Sequence, residues 1–441
     1  MKDQEGYDPL EAETPPHPDE AVNIILENVC PLDATDKRLS LCAGLAAAES
    51  VYADMDWPRT DIAGRDGYAV RSQDIVQATP EKPALLRITA AARAGRPANR
   101  VVKPGEAIRI MTGSLMPRGA DCVVQFEDTD EPGDKNGSVR ESPLEVKIFT
   151  AMHPGANIWP SGNNIRKGSI LLRKGTLIGP AQISAIASIG KTRLSVIRRP
   201  QVAIIATGDE LVRPGGKLTD GKIYSSNSAF VAALVSHYGG EPKIQGIARD
   251  REDALIAKIR RAMAADAIIT IGGVSKGDFD LVRPVVAKTG RVLFSGIQMM
   301  PGKATAFGIV RTVSASDAQK AIPVFCLSGP PTACLINLET LVRPALLRMA
   351  GMADVHRNAV EAVALETVRN KRSMALAMLV SLQTINGAYH ARFNISGNGS
   401  MQASLAAANA FSLLPEGTGV KAGEKIRVHL LNWNSYPKNN F

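Results

Sequence analysis

The feature that most constrains the fold is a regular alternation of strand-like and helix-like segments between residues 199 and 350. Short apolar runs such as QVAIIA at 201–206 and DAIITI at 266–271 are typical of buried strands. Segments such as REDALIAKIRRAMAA at 251–265 separate them and are typical of helices. Strands that alternate with helices in this way predict a parallel, doubly wound α/β sheet with helices on both faces.

The composition and the pattern of apolar residues change on both sides of this region. A chain of 441 residues also exceeds the ~250–300 residues at which a single core stops growing, so several domains are expected. Residues 1–18 are acidic and proline-rich and predict a disordered tail, followed by helices at 19–30 and 36–52. Short apolar runs broken by Gly and Pro indicate β-structure over 57–150 and again over 355–435.

Charge and cysteine content narrow the classes of partner. The net charge is +9, but the basic residues are scattered along the chain, which favours an anionic small substrate over nucleic acid. The five cysteines form no CxxC pair, which argues against a zinc ribbon or a disulfide framework and fits a reducing cytoplasm. The N-terminus lacks the basic start and apolar core of a signal peptide, and no apolar run approaches the ~20 residues of a membrane span.

A polar loop follows each predicted strand along the path of the α/β region. Ligands of open α/β sheets bind outside the carboxyl ends of the strands, so these loops are expected to converge on one edge. The five loops are Thr207-Gly208-Asp209-Glu210, Arg249-Asp250, the stretch from Gly272 to Asp280, Pro301-Gly302-Lys303, and Ser328-Gly329-Pro330-Pro331.

The third loop, GGVSKGDFD, carries the most specific chemistry. Gly272 and Gly273 allow the backbone to turn tightly and to approach a ligand, and the Ser275 hydroxyl with the loop amides suits an anion. Asp278 and Asp280 are better suited to holding Mg²⁺ or to bonding a sugar or a pterin. The loop therefore predicts a site for a metal-bound phosphate ligand.

Two carboxylates on neighbouring loops, Glu210 and Asp250, could complete a cluster for a hard divalent ion. Purely structural interpretations stay open, because TGDE can be a turn with a helix cap, Asp278 can be another cap, and Arg249-Asp250 can be a surface pair.

The sequence gives less support to other classes of enzyme. The chain contains neither GxxxxGK[ST] nor HxxxH, and its one GxSxG, at 273–277, is followed by GDFD where a nucleophile elbow would run into its helix.

Six motifs then occur in a specific order: Asp66-Gly-Tyr-Ala-Val70, Arg109-Ile-Met-Thr-Gly113, Ala206-Thr-Gly-Asp-Glu-Leu211, GGVSKGDFD, Pro301-Gly-Lys303 and SGPP. This ordered set resembles the molybdopterin molybdenumtransferase family, the MoeA-type enzymes that include the E domain of gephyrin. The resemblance runs from about residue 19 to residue 435. It implies that the chain is an α/β multidomain transferase of molybdenum cofactor biosynthesis.

The resemblance implies four domains and a homodimer. A doubly wound α/β, molybdopterin-binding domain is accompanied by an inserted β-domain, an elongated helical and irregular domain, and a C-terminal β-barrel. In the family, the active site joins the α/β domain of one chain to the inserted β-domain of the other. The implied boundaries are 1–18 for the tail, 19–54 with 153–196 for the elongated domain (part of 34–54 packing on the α/β domain), 55–152 for the inserted domain, 197–350 for the α/β domain and 351–441 for the barrel.

The resemblance also implies substrates and residue roles. The substrates are molybdate and adenylylated molybdopterin, AMP is released, and Mg²⁺ is the cofactor. The catalytic positions are Asp66, Thr112, Glu210, Asp250, Asp280 and Lys303, of which Glu210, Asp250 and Asp280 hold the metal. Substrate-binding positions are Gly113, Thr207, Gly208, Asp209, Gly272, Gly273, Ser275, Lys276, Gly277, Asp278, Gly302, Ser328 and Gly329. No membrane and no nucleic-acid partner is implied, and a cytoplasmic location is expected.

The chain departs from the family pattern at several charged positions. Arg65 and the pair Asn163-Asn164 replace residues that are usually Met and Glu-Asp, Met300 replaces a lysine before Pro-Gly-Lys, and Pro330 replaces an asparagine. Losing a lysine removes a cation that would meet molybdate or phosphate. Two alternatives to the transferase therefore stay open: a catalytically weakened paralogue that acts as a pterin-binding or scaffold protein, and a nucleotide enzyme similar to molybdopterin adenylyltransferases.

Overall fold

The computed structural model describes residues 14–131, 144–274, 282–311, 320–393 and 401–431. The chain divides into two compact units. The first unit comprises Met1–Glu49, Lys174–Ile178 and Leu194–Phe441, and the second comprises Ser50–Arg173 and Gly179–Arg193. Within the described ranges, no helix is both long and apolar enough to cross a membrane.

The first unit begins with helix α1 (Pro18–Glu27) and strand β1 (Ala34–Arg38). Pro18 and two acidic residues in the first turn suit a helix start, and Ala21 and Ile25 are fully buried one turn apart. The sequence placed residues 14–18 in a disordered tail, and the structure corrects this. The backbone amide of Gln298 donates to Pro16 O (3.0 Å), and its side-chain amide donates to Pro15 O (2.7 Å).

The predicted helix at 36–52 is wrong. A 3₁₀ turn at Leu39–Leu41 follows β1, and Gly44 then adopts a φ of +74°, which no helix contains. Ala46 and Ala47 form antiparallel bridges to Leu177 and Val196. Alanine favours helices by its local propensity, but here the pairing with distant segments decides the conformation.

The second unit contains a five-stranded sheet of order β7-β4-β6-β5-β8 and two small two-stranded pairs, β2–β10 and β3–β9. Tyr68 of β4 and Val124 of the neighbouring edge strand β7 are fully buried in its core. Its elements are β2 (Val51–Tyr52), β3 (Ile62–Ala63), β4 (Gly67–Val70), β5 (Ala84–Ala92), β6 (Glu106–Ile110), β7 (Cys122–Gln125), β8 (Glu145–Ile148), β9 (Ile158–Trp159), β10 (Ile170–Leu172) and α2 (Pro180–Ser188).

The α/β region of the first unit follows β11 (Arg193–Ile197). Its strands are β12 (Gln201–Thr207), β13 (Leu211–Val212), β14 (Ile223–Tyr224), β15 (Glu241–Ala248), β16 (Ala267–Ile271), β17 (Gly290–Ser295), β18 (Met299–Met300), β19 (Ala306–Arg311) and β20 (Ala321–Leu327). Its helices are α3 (Ser226–His237), α4 (Glu252–Ala262), α5 (Val282–Thr289), α6 (Pro331–Asn337), a π-helical turn at Leu338–Val342 and α7 (Arg343–Met349).

The main sheet has the order β15-β12-β16-β20-β19-β17 and is covered on both faces, as predicted. Along β12, Val202 and Ile204 pack into one core with α3, whereas Ala203 and Ile205 pack into the other core with α4. The expectation that all strands are parallel is wrong for β19, which runs antiparallel to β17 and to β20. No helix intervenes between β17 and β19, and the chain re-enters the sheet after the short strand β18, which pairs with the C-terminal region.

The C-terminal region forms the predicted barrel. Its strands close in the order β23-β24-β21-β27-β25 and back to β23, and β18 adds in parallel to β23. Val380 and Val428 are fully buried inside it. The elements are β21 (Ala359–Ala364), β22 (Val368–Arg369), β23 (Ala375–Ile385), β24 (Ala388–Phe393), α8 (Met401–Ala407), β25 (Ala410–Leu414), β26 (Gly419–Val420) and β27 (Lys425–Leu430).

Candidate functional site

The carboxyl ends of the central strands lie side by side in the first unit. Thr207 of β12 pairs with Ala248 of β15, and Ile271 of β16 pairs with Leu327 of β20. Ser295, the last residue of β17, pairs with Ala306 at the start of β19. The loops that follow these strands therefore start from one edge of the sheet, as predicted.

The glycine pair after β16 turns directly against β12. Gly272 and Gly273 have φ values of +91° and +69°. A side chain on Gly272 would stand 2.9 Å from Thr207 O, and one on Gly273 would stand 2.9 Å from Thr207 Oγ1. The Thr207 hydroxyl donates to Ile271 O (3.3 Å), and Gly272 N donates to Leu327 O (3.0 Å). Both glycines are thus required by conformation and by close approach to Thr207.

The loops after β12 and β15 are joined through Asp250. The backbone amide of Asp209 donates to Asp250 Oδ2 (3.0 Å), and Arg249 lies 3.5 Å from the Asp209 carboxylate. Lys222 Nζ donates to Asp209 O (2.6 Å). Gly208 has a φ of +146° and lies against the Glu210 carboxylate. A Cβ on Gly208 would stand 2.4 Å from Glu210 Oε2. These contacts join Asp209 to Asp250 across the two loops and place the Glu210 carboxylate against Gly208.

Side chains bond to backbone carbonyl groups of the loops after β17 and β20. Ser328 Oγ donates to Ala304 O (2.6 Å), and Gly329 O accepts from Asn227 Nδ2 (2.6 Å). Gly302 has a φ of +107° and packs on Asn337, whose Nδ2 donates to Gly302 O (3.3 Å). Lys303 is exposed. Asn227 and Asn337 were missed by the sequence analysis.

In the second unit, Asp66 and Thr112 form a direct pair. Asp66 Oδ1 accepts from Thr112 N (2.6 Å) and from Thr112 Oγ1 (2.8 Å). Gly67, which follows Asp66, has no room for a side chain, because a Cβ would stand 1.9 Å from Val124 O. Gly113 has a φ of +79° with open space around it. The DGYAV and RIMTG motifs, 46 residues apart, thus meet at one point.

Comparison with known proteins finds family matches over most of the chain. Residues 17–190 match the MoeA N-terminal region (domains I and II), residues 203–348 match the probable molybdopterin binding domain, and residues 359–431 match the MoeA C-terminal region (domain IV). A molybdopterin molybdenumtransferase of Staphylococcus aureus is 33% identical over 93% of this chain and 94% of its own length. That of Staphylococcus epidermidis is 32% identical over 97% and 98%.

The chain belongs to the MoeA-type molybdopterin molybdenumtransferase family. Two solved structures of the molybdopterin biosynthesis MoeA protein from Pyrococcus horikoshii have the same fold, with TM-scores of 0.78 and 0.77. They are 30% and 26% identical to this chain, of which each covers 95%, and the chain covers 99% and 100% of them. The predicted family and multidomain fold are therefore confirmed.

The metal set expected for a MoeA-type chain is only partly within the described residues. Ser275, Lys276, Gly277, Asp278 and Asp280 lie outside them. Among the residues that the structure does describe, no group of three or more His, Cys, Asp or Glu side chains could hold a metal ion. The Mg²⁺ triad of Glu210, Asp250 and Asp280 therefore stays a prediction, although oxygen donors of this kind suit that ion.

Met300, the position at which this MoeA-type chain lacks a lysine, lies in β18 beside the barrel strand β23. Met299 is fully buried in the core, whereas Met300 is half-buried. Since successive residues of a strand point to opposite faces, Met300 points away from the core that holds Met299. Its side chain is thus not one of the core residues of the α/β region.

Proposed function

We propose that the chain is a Mg²⁺-dependent molybdopterin molybdenumtransferase that inserts molybdate into adenylylated molybdopterin and releases AMP. The observation that carries the proposal is the convergence of Thr207–Glu210, Asp250, Gly272–Gly273 and Ser328–Gly329 on one edge of the main sheet. The relatives named above are molybdopterin molybdenumtransferases, and this edge is where an α/β sheet binds its ligands.

The loops supply different parts of such a site. The close turn at Gly272 and Gly273 lets the backbone approach the pterin or the phosphate, and Thr207 fixes that turn. Glu210 and Asp250, with Asp280, would hold Mg²⁺, which when bound neutralises charge on the phosphate. One oxygen of Asp250 already fixes the backbone of Asp209, which leaves its second oxygen for a ligand. Lys303 is an exposed cation that suits molybdate.

We place Asp66 and Thr112 of a second chain in the same site, which makes the protein an obligate homodimer. Their hydrogen-bonded pair presents a carboxylate on an exposed part of the second unit. The second unit also exposes large apolar side chains, including Tyr52 (54%), Trp159 (46%) and Leu115 (41%). Exposed apolar surface of this kind favours burial against another protein surface. The cytoplasm is the proposed location, since none of the five cysteines, all of which lie among the described residues, forms a disulfide.

The test is release of AMP from adenylylated molybdopterin with Mg²⁺ and molybdate. Asp250→Ala should lower the rate at least tenfold without changing the fold, whereas Asp253→Ala, an exposed aspartate on the next helix, serves as the matched control. Binding of the pterin without AMP release would instead identify a weakened paralogue or scaffold. Formation of the adenylylated pterin from ATP would identify an adenylyltransferase-like enzyme. Turnover by a stable monomer in light scattering would refute the shared site.

A further inference from the structure

Asn337 is a polar residue in a fully apolar setting. It ends α6, it has no exposed surface, and its neighbours Leu335, Ile336 and Leu338 are fully buried core residues. Its Oδ1 atom has no hydrogen-bond partner among the described residues. A buried acceptor without a donor loses its hydrogen bond to water and gains none in return. A leucine of similar size would avoid this penalty, so stability alone does not account for an asparagine here.

The side chain of Asn337 faces the turn that carries Lys303. Its Nδ2 donates to Gly302 O (3.3 Å). Its Oδ1 lies 2.3 Å from the point where a Cβ of Gly302 would stand, so the amide leaves no room for a side chain on that glycine. Gly302 has a φ of +107°, which side chains rarely adopt. Asn337 and Gly302 therefore fit each other as a pair.

The next residue of the turn is fixed by backbone contacts. Lys303 O accepts from Ile297 N and from Thr305 N, both at 3.1 Å. These bonds tie Lys303 to the flanks of the loop, whereas Asn337 holds Gly302 from the helix layer beneath. Together they set the direction in which the Lys303 side chain leaves the turn. This direction matters because Met300, three residues earlier, supplies no cation.

We propose that Asn337 is a positioning residue that holds the Gly302–Lys303 turn in the conformation that binds the oxyanion substrate. This inference rests on the proposed function, because it assigns the turn to the molybdate side of the same site. Asn337 acts through Gly302 and touches no substrate. The unpaired oxygen of Asn337 lowers stability, but the asparagine still serves the site. A leucine would leave Gly302 O without its side-chain donor and the turn without its support.

The test compares Asn337→Leu with Thr270→Val as a matched control. Thr270 is also fully buried, and its Oγ1 also lacks a partner among the described residues, but it lies inside strand β16. Both variants remove a buried unpaired oxygen, and Asn337→Leu also removes the donor to Gly302 O, so Thr270→Val should not lower the melting temperature and Asn337→Leu should lower it by a few degrees at most. Asn337→Leu alone should speed amide hydrogen exchange in the peptide 296–305 and raise the KM for molybdate about five- to tenfold, with kcat changed less.

Unchanged exchange and an unchanged KM in Asn337→Leu would overturn the proposal, as would equal changes in Thr270→Val. If Asn337→Leu does not fold, Asn337→Ser, which has a shorter side chain, carries the same two predictions. The exchange measurement needs no substrate. A wild-type protein without molybdate-dependent AMP release would refute the proposed function, and hydrogen exchange would then still decide whether Asn337 holds the turn.

Discussion

Replacing Gly208 with alanine should displace the Glu210 carboxylate without changing its charge. The added Cβ would stand 2.4 Å from Glu210 Oε2 and 2.6 Å from Oε1, whereas an ordinary contact begins at 3.4 Å. The carboxylate must therefore move by about 1 Å, and a misplacement of that size costs roughly 100-fold in rate when the group acts in catalysis. The φ of +146° adds strain of about 1–3 kcal/mol, or a fall in melting temperature of roughly 2–12 °C.

The matched control is Gly215→Ala in the loop that follows β13. Gly215 has a φ of +85°, and a Cβ there meets nothing within 4 Å, so this variant carries backbone strain alone. Melting temperatures of both variants should fall, but only Gly208→Ala should lose Mg²⁺-dependent AMP release. Wild-type activity in Gly208→Ala, or an equal loss in both variants, would refute the role of Glu210 in the site.

Three further predictions concern charges. Met300→Lys should tighten the molybdate dependence of turnover by ~1–3 kcal/mol, whereas an unchanged molybdate dependence would show that position 300 does not face the oxyanion. Arg357→Met removes the ion pair of the buried Glu339 carboxylate, which also accepts a hydrogen bond from Tyr238, and should lower the free energy of urea unfolding by up to about 3–5 kcal/mol; adding Glu339→Gln should recover part of that loss. Burial, aided by the positive charges of Arg427 and Arg357, lowers the pKa of His429 to about 4, so the folded state disfavours protonation. The contribution of His429 should therefore be complete above about pH 6.5 and should decline as the pH falls towards 4, by at most ~1.4 kcal/mol per unit; His429→Leu should make the decline shallower, and the part that remains includes His237, whose pKa burial also lowers.

The elements that the sequence predicted well are those set by local patterns. Buried strands such as Ala267–Ile271 are short apolar runs, and the helices between them carry acidic starts and regular apolar spacing. The helix predicted over 36–52 is wrong because its conformation depends on bridges to residues 177 and 196, far along the chain. The reversed direction of Ala306–Arg311 likewise depends on the loop before it, whose path no periodicity reveals.

The candidate site divides in the same way. Thr207, Gly272 and Asp250 could be predicted because they follow strands whose ends must meet at one edge. Asn337 could not, because it stands in the apolar run CLINLETL and its partner Gly302 is 35 residues away. Asn227 resembles an ordinary residue of a first helical turn until its bond to Gly329 O is seen. No local sequence motif marks residues such as Asn227 and Asn337, since the role of each depends on a backbone group far along the chain.

This division implies two kinds of effect for substitutions around the site. Loop residues such as Asp250 present charge at the edge of the sheet, so changing them should alter affinity or rate directly. Ser328, Asn227 and Asn337 instead bond the carbonyl groups of Ala304, Gly329 and Gly302, so changing them should alter where the loops stand. A kinetic defect that arises with faster amide exchange belongs to the second kind, and one with unchanged exchange belongs to the first.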